Sequence, residues 1–278
     1  MKRACVIGWP IEHSRSPLIH GYWLNAYGID GVYTKEAVRP EDVQAFFASL
    51  SERGLAGCNV TVPHKAAAFA AAAVREESAK AVSAANTLWL EGGQLHAANT
   101  DTYGFMRHLE LSVPGWNDAH RPVAILGAGG AARAIVFGFL QAGTQDVRVL
   151  NRTRTRAEEL AKEFGSRVTV MDWDERENAA RDAGVLVNTT TIGMNGEGSL
   201  GIDFEGFDPA CVVCDIVYVP LETELLARAR AAGLRTVDGL GMLLHQAVPG
   251  FEKWFGVRPE VTPELRALVV ADIEGKTC

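Results

Sequence analysis

Val123-Ala124-Ile125-Leu126-Gly127-Ala128-Gly129-Gly130-Ala131-Ala132 decides the fold of this 278-residue chain. A short apolar run meets a turn of small residues and then a segment with helical character, the order a dinucleotide site requires. Glycines at 127 and 129 allow a tight turn and close backbone approach to a pyrophosphate, and Ala132 allows a helix to lie close on a strand. The phosphates would sit on the helix N-terminus, with Gly127, Ala128, Gly129, Gly130 and Ala131 as the cradle. A second apolar run, Val147 to Leu150, ends where NAD-specific proteins usually carry an acidic residue for the ribose hydroxyls. Here it ends in Asn151-Arg152-Thr153-Arg154-Thr155-Arg156. Guanidinium groups bind phosphate oxygens through planar, charge-assisted hydrogen bonds, so this run suits a 2′-phosphate and predicts NADP(H). Asn151, Arg152, Thr153 and Arg156 are the candidate contacts. Arg154 also reads as a solvated residue at a helix start.

Working outward, 47% hydrophobic and 22% charged residues describe an ordinary globular protein, long enough for two modest domains. A formal net charge of −7 argues against nucleic acid or an anionic membrane as main partner, since both demand a basic face. The opening Met-Lys-Arg-Ala-Cys-Val-Ile-Gly enters a strand pattern at once, and no apolar run is long enough to span a bilayer, which predicts a cytoplasmic protein. Five cysteines scattered from Cys5 to Cys278 form no disulfide framework. Cys211 and Cys214 make a Cys-x-x-Cys, but inside a strand-like run that turns the two thiols to opposite faces. The histidines show no zinc spacing, so no metal is expected.

Strand-like and helix-like segments alternate along the whole chain. Before the glycine turn come Ala4 to Ile7, a helix from Pro17 to Tyr27, Val32 to Ala37, a helix near Pro40 to Leu50, Asn59 to Val62, an Ala-rich helix from Pro63 through Ala73, and a hairpin of Thr87 to Leu90 with Gln94 to Ala98. After it come Val168 to Met171, Val185 to Asn188, Val212 to Val217 and a helix from Leu225 to Ala232. The repetition predicts parallel sheets in two α/β lobes with the active site in the cleft between them. Val261 to Ile273 reads as an amphipathic helix returning to the first lobe.

Several polar clusters sit at the ends of these segments. In Asn59-Val60-Thr61-Val62-Pro63-His64-Lys65 a strand runs into a helix, and proline suits its first turn. Lys65 then opposes the positive end of the helix dipole, an unfavourable placement worth roughly 0.3–1 kcal/mol. That placement suits proton transfer, or else Lys65 is a solvated surface lysine. In Asn99-Thr100-Asp101, Asp101 is either a helix cap or a partner for such a cation. Asn86-Thr87 reads as turn chemistry or as part of the same polar site. In Ser14-Arg15-Ser16-Pro17, Ser16 is a good helix cap, and Ser14, with no such task, is available to hold a carboxylate. Gly239-Leu240-Gly241-Met242-Leu243-Leu244-His245-Gln246 places two glycines before a helix carrying Met242 and Gln246 on one face, where Met242 also reads as core.

Taken in order, Ser14-Arg15-Ser16-Pro17, Asn59-Val60-Thr61 with Pro63-His64-Lys65, Asn86-Thr87, Asn99-Thr100-Asp101, the glycine turn, Asn151-Arg152-Thr153, Tyr218 and the Gly239 to Gln246 segment resemble the shikimate dehydrogenase family across nearly the whole chain. The resemblance implies a substrate-binding domain of 1–102 plus 241–278 and a Rossmann-type NADP-binding domain of 103–240. It implies Lys65 and Asp101 as catalytic residues, and Ser14, Ser16, Asn59, Thr61, Asn86, Tyr218 and Gln246 around shikimate or 3-dehydroshikimate. It adds Thr189, Thr190, Ile216, Gly239 and Met242 to the cofactor contacts. The implied activity is NADP-dependent reversible reduction of 3-dehydroshikimate, in aromatic amino acid biosynthesis. A quinate/shikimate dehydrogenase with relaxed cofactor choice is the nearest alternative, and a non-catalytic nucleotide-sensing protein is another. A homodimer stays open. Ser83-Ala84-Ala85 before Asn86, and Thr189-Thr190-Thr191, depart from the family's more usual Gly-Ala-Val and Ala-Thr-Ser runs.

Overall fold

The computed structural model describes residues 1–117 and 120–275, so Cys278 lies outside the described residues. The chain divides into two compact units, Met1–Asp101 with Leu244–Cys278, and Thr102–Leu243.

The first unit runs β1 (Lys2–Gly8), α1 (Ser16–Ala26), β2 (Gly31–Ala37), α2 (Val43–Ala48), β3 (Gly57–Val60), α3 (Lys65–Ala71), β4 (Val74–Arg75), α4 (Glu77–Val82), β5 (Thr87–Glu91) and β6 (Gln94–Ala98). Its sheet has the order β2-β1-β3-β5-β6-β4. The strands β1, β2 and β3 are parallel, whereas β5 pairs antiparallel to both β3 and β6. The sheet is therefore mixed, and the expected hairpin forms between β5 and β6 through a tight turn at Gly92-Gly93, both at positive φ. Cys5, Ile7, Cys58 and Val60 meet Val43, Phe46, Phe47 and Ala68 in one buried cluster.

After Asp101, the last residue of the first unit's leading segment and the first of α5 (Asp101–Ser112), the second unit runs β7 (Val123–Leu126), α6 (Gly130–Gln141), β8 (Val147–Leu150), α7 (Arg154–Phe164), β9 (Val168–Met171), α8 (Arg176–Arg181), β10 (Val185–Asn188), β11 (Val212–Asp215), α9 (Glu224–Ala231) and β12 (Arg235–Val237). Its sheet order, β12-β11-β10-β7-β8-β9, is parallel throughout. Strands covered on both faces read as continuous apolar runs, and these do. Val123, Ile125, Val185, Val187 and Cys214 face one cluster with Ile135, Phe139 and Leu160, while Ala124, Leu126, Leu186 and Cys211 face another with Ala180, Leu226 and Ala229. Cys211 and Cys214 thus lie on opposite faces. The order reverses between β7 and β10, the switch point at which such sheets bind nucleotides outside the carboxyl ends of their strands.

The chain closes with α10 (Gly239–Phe255) and α11 (Pro263–Ile273). Helix α11 belongs to the first unit. It is held there by Trp23 Nε1 donating to the Glu260 carbonyl at 2.8 Å and by Arg15 Nε on Asp272 Oδ2 at 2.8 Å. Among the described residues no helix is long and apolar enough to cross a membrane.

Candidate active site and cofactor cradle

Strand β3 ends at Val60, and the chain turns through Thr61 to Lys65, the first residue of α3. Pro63 stands outside the helix, after a cis Val62–Pro63 peptide, so the expected helix start at proline is corrected by two residues. His64 anchors the turn: it is buried, and its Nε2 lies 2.7 Å from the Val38 carbonyl. Lys65 Nζ then donates to Asp101 Oδ2 at 2.6 Å, with side-chain exposures of 32% and 13% that leave the pair open on the lysine side.

Asp101 opens α5, and both of its carboxylate oxygens are engaged by side chains. Asn99 Oδ1 accepts the Asp101 N–H at 3.0 Å, and the second carboxylate oxygen accepts Asn86 Nδ2–H at 2.8 Å. Asn86 is itself fixed, its Oδ1 accepting from the Thr100 N–H at 2.8 Å and from the Thr87 hydroxyl at 3.0 Å. Asn59 is buried beside it, taking the Tyr33 hydroxyl at 2.6 Å on Oδ1 and donating to the Asn86 carbonyl at 3.1 Å and to Thr87 Oγ1 at 3.3 Å. A buried network with its members satisfied holds one geometry, and this one holds the Lys65–Asp101 pair. Thr61 is half-buried in the same turn, and a Cβ at Gly8 would lie 2.6 Å from its Cγ2.

At the start of α1 the expectations shift by one residue. Ser16 is the first helical residue, Arg15 holds the cap position without a side-chain cap bond, and Ser14 Oγ accepts the Ser16 N–H at 3.3 Å. Ser14, read as free of structural work, has some. Beneath this turn His20 is fully buried, stacked 4.0 Å from Tyr33, with neither ring nitrogen partnered among the described residues. Burial pushes its imidazole down to about 3.

In the second unit every expected cofactor residue lies at or beyond the carboxyl end of a strand. Gly127 has φ +112°, and a Cβ there would lie 2.4 Å from Thr189 Oγ1, whereas Gly129 and Gly130 face open space at the start of the 12-residue helix α6. That is the shape a pyrophosphate needs: backbone N–H groups with no side chain in front of them. Arg152 and Arg156 are exposed and make no ion pair among the described residues, while Arg154 is committed to Glu158 and Asp172. The solvated reading therefore holds for Arg154, and two arginines remain for a phosphate. Asn151 Nδ2 donates to the Thr153 carbonyl at 2.8 Å and shapes that loop.

The hydroxyls of Thr189 and Thr190 are spent inside the protein, on the Leu126 carbonyl at 2.7 Å and on Asn188 Oδ1 at 2.7 Å. Gly239 is required by contact, since a Cβ would lie 2.3 Å from the Ile216 carbonyl oxygen. The two glycines near residue 240 lie inside α10 and not before it: Asp238 Oδ1 accepts the Leu240 N–H at 2.9 Å and caps the helix. Met242 packs partly buried against the core of the second unit, and Tyr218 and Gln246 are both half-buried.

The sequence matches three family profiles: the shikimate dehydrogenase substrate binding domain over residues 6–88, shikimate / quinate 5-dehydrogenase over 112–193, and the shikimate 5′-dehydrogenase C-terminal domain over 239–268. It is 53% identical to the shikimate dehydrogenase (NADP(+)) of Azorhizobium caulinodans, covering 99% of this chain and 98% of the relative. With the protein of that name from Brucella abortus identity is 56%, over 98% and 95%. Among solved structures, shikimate 5-dehydrogenase from Thermus thermophilus in complex with NADP(H) and shikimate superposes with a TM-score of 0.85 at 33% identity, covering all of both chains.

Proposed function

The chain belongs to the shikimate dehydrogenase family, and we propose on that premise how its own residues interconvert 3-dehydroshikimate and shikimate with NADP(H). The observation that carries the proposal is the Lys65–Asp101 pair at 2.6 Å, opening outward from a buried amide network. NADPH, when bound, supplies the hydride. Reduction of a ketone leaves negative charge on oxygen, which needs a proton and a nearby cation. Lys65 provides both, and in the reverse direction it accepts the hydroxyl proton. Asp101 holds the ammonium from one oxygen while Asn86 restrains the other. Removing Asp101 therefore frees the lysine head as well as deleting a charge.

Ser14 and Ser16 take the substrate carboxylate at the start of α1. Thr61 and Gln246 address the ring hydroxyls. Asn59 and Asn86, whose amides are committed to protein partners, set the pocket's shape. A site that answers each ring hydroxyl rejects analogues lacking one, because a buried partner is then left unpaired. Gly127 to Ala131, at the N-terminus of α6, would hold the cofactor's pyrophosphate, and Arg152 and Arg156, beyond β8, would hold its 2′-phosphate. On this reading the residues after β7 and β8 would hold the adenosine half, and Ile216, Gly239 and Met242, beyond β11 and β12, would hold the nicotinamide half.

Lys65→Ala tests this assignment. Turnover should fall at least a hundredfold, in the range expected for losing a general acid, while shikimate still quenches tryptophan fluorescence with an affinity within a fewfold of the parent. Turnover near the parent's would remove Lys65 from the proton-transfer role.

A further inference from the structure

The loops leaving β10 and β11 are joined by a buried polar brace that the mechanism above does not use. Asn188, the last residue of β10, pairs in register with Asp215, the last of β11, and they are 0% and 2% exposed. Asp215 Oδ1 accepts Asn188 Nδ2–H and the Val217 N–H, both at 3.0 Å, and Oδ2 accepts the Thr223 hydroxyl at 2.7 Å. Asn188 Oδ1 accepts the N–H and the hydroxyl of Thr190 at 3.0 and 2.7 Å, and its Nδ2 also donates to the Ile192 carbonyl at 3.2 Å. Thr223 Oγ1 in turn accepts the Leu226 N–H at the start of α9 at 3.4 Å.

Keeping a carboxyl group in this position is costly. Burial drives Asp215 up to about 6, against three donors that pull it down. An apolar residue of similar volume would avoid that cost, and buried charges are often replaced by apolar side chains with no loss of stability. The carboxylate does something no apolar residue can: it takes hydrogen bonds at once from the end of β10, from the backbone just beyond β11 and from the cap of α9.

We propose that Asp215 is a positioning residue for hydride transfer, which through Asn188, Val217 and Thr223 locks the 189–193 and 216–223 loops, and with them Ile216 and Tyr218, into one arrangement. The proposal rests on the reading of those loops as lying over the nicotinamide half. Its consequence is a separation of effects: loosening the brace disturbs the reacting end of the cofactor and leaves the adenosine end untouched.

Asp215→Asn keeps the shape and turns one acceptor oxygen into a donor facing donors. In the full-length protein kcat and KM for shikimate oxidation are measured beside the Kd of adenosine 2′,5′-bisphosphate, a probe that reaches only the glycine turn and the arginines. The expected result is a kcat lowered at least tenfold with the bisphosphate Kd within twofold of the parent. A kcat within twofold overturns the proposal, and so does an equal loss in turnover and bisphosphate affinity, which marks a merely structural role. Should Asp215→Asn not fold, Thr223→Val removes one donor and Thr223→Ser retains it. About a threefold fall in kcat for the valine alone supports the brace, and equal kcat values for the two overturn it. A parent protein that fails to reduce NADP+ with shikimate refutes the site reading itself, whereas an active parent with an unaffected variant refutes only the brace.

Discussion

Mild acid should destabilise this protein through one ring. His20 is fully buried among Trp23, Tyr33, Phe251 and Trp254, with centroid distances of 4.0 to 5.8 Å. Burial lowers its pKa from 6.5 to about 3. Because the folded pKa lies below the unfolded one, the unfolded chain binds a proton between these limits and the folded chain refuses it. Stability from this group is whole above 6.5 and is lost as pH falls, at about 1.36 kcal/mol per unit. By pH 5 the loss is about 2 kcal/mol, and it stops growing near pH 3. His20→Phe keeps an aromatic ring and removes the titration. Urea unfolding of both proteins at pH 7 and pH 5, followed by tryptophan fluorescence, should give acid-induced losses that differ by about 2 kcal/mol, the parent losing more. Equal losses would refute the reasoning, as would a folded-state imidazole titrating near 6.5 by NMR.

The cofactor cradle yields two more expectations. Arg152→Ala should raise KM for NADP+ about tenfold, the roughly 1.4 kcal/mol of one exposed charge-assisted contact, and leave KM for NAD+ within twofold; equal shifts for both cofactors would remove Arg152 from the 2′-phosphate. Gly127→Ala places a Cβ at φ +112° and 2.4 Å from Thr189 Oγ1. Backbone strain of roughly 1–3 kcal/mol plus that clash should lower Tm and weaken NADP+ binding together, and a variant with the parent's Tm would contradict the contact.

Much of the site could be read from the sequence because its residues sit at strand ends, where parallel topology collects them. Lys65 and Asp101 are far apart in the chain, yet β3 and β6 both deliver their C-terminal neighbours to one network through Asn86. The glycine turn was legible for the same reason: strand, turn and helix are consecutive, so the local pattern contains the whole geometry. What stayed hidden depends on long-range choice. Nothing local says that the Asp101 carboxylate meets Lys65 while Asn99 Oδ1 takes the Asp101 N–H, or that Ser14 is engaged with the Ser16 N–H. Asp215 lies within the expected strand Val212 to Val217 with nothing local to mark it, since its partners Asn188 and Thr223 lie on other segments. His20 falls inside the expected helix from Pro17 to Tyr27, with no local signal of its own. Only the packing of Tyr33, Trp254 and Phe251 around it turns it into a titrating group.

Oxidation of shikimate with NADP+ is the reaction on which the roles of Lys65, Asp101 and the arginines all depend. The direct measurement is kcat/KM for NADP+ and for NAD+ with shikimate, and with quinate in its place, read from the absorbance of the reduced nicotinamide under matched conditions. Rapid reduction of NADP+ by shikimate is expected, with NAD+ and quinate each at least tenfold poorer. Equal rates with NAD+ or quinate would contradict the assigned specificity, and no reduction by any pair would contradict the assigned reaction.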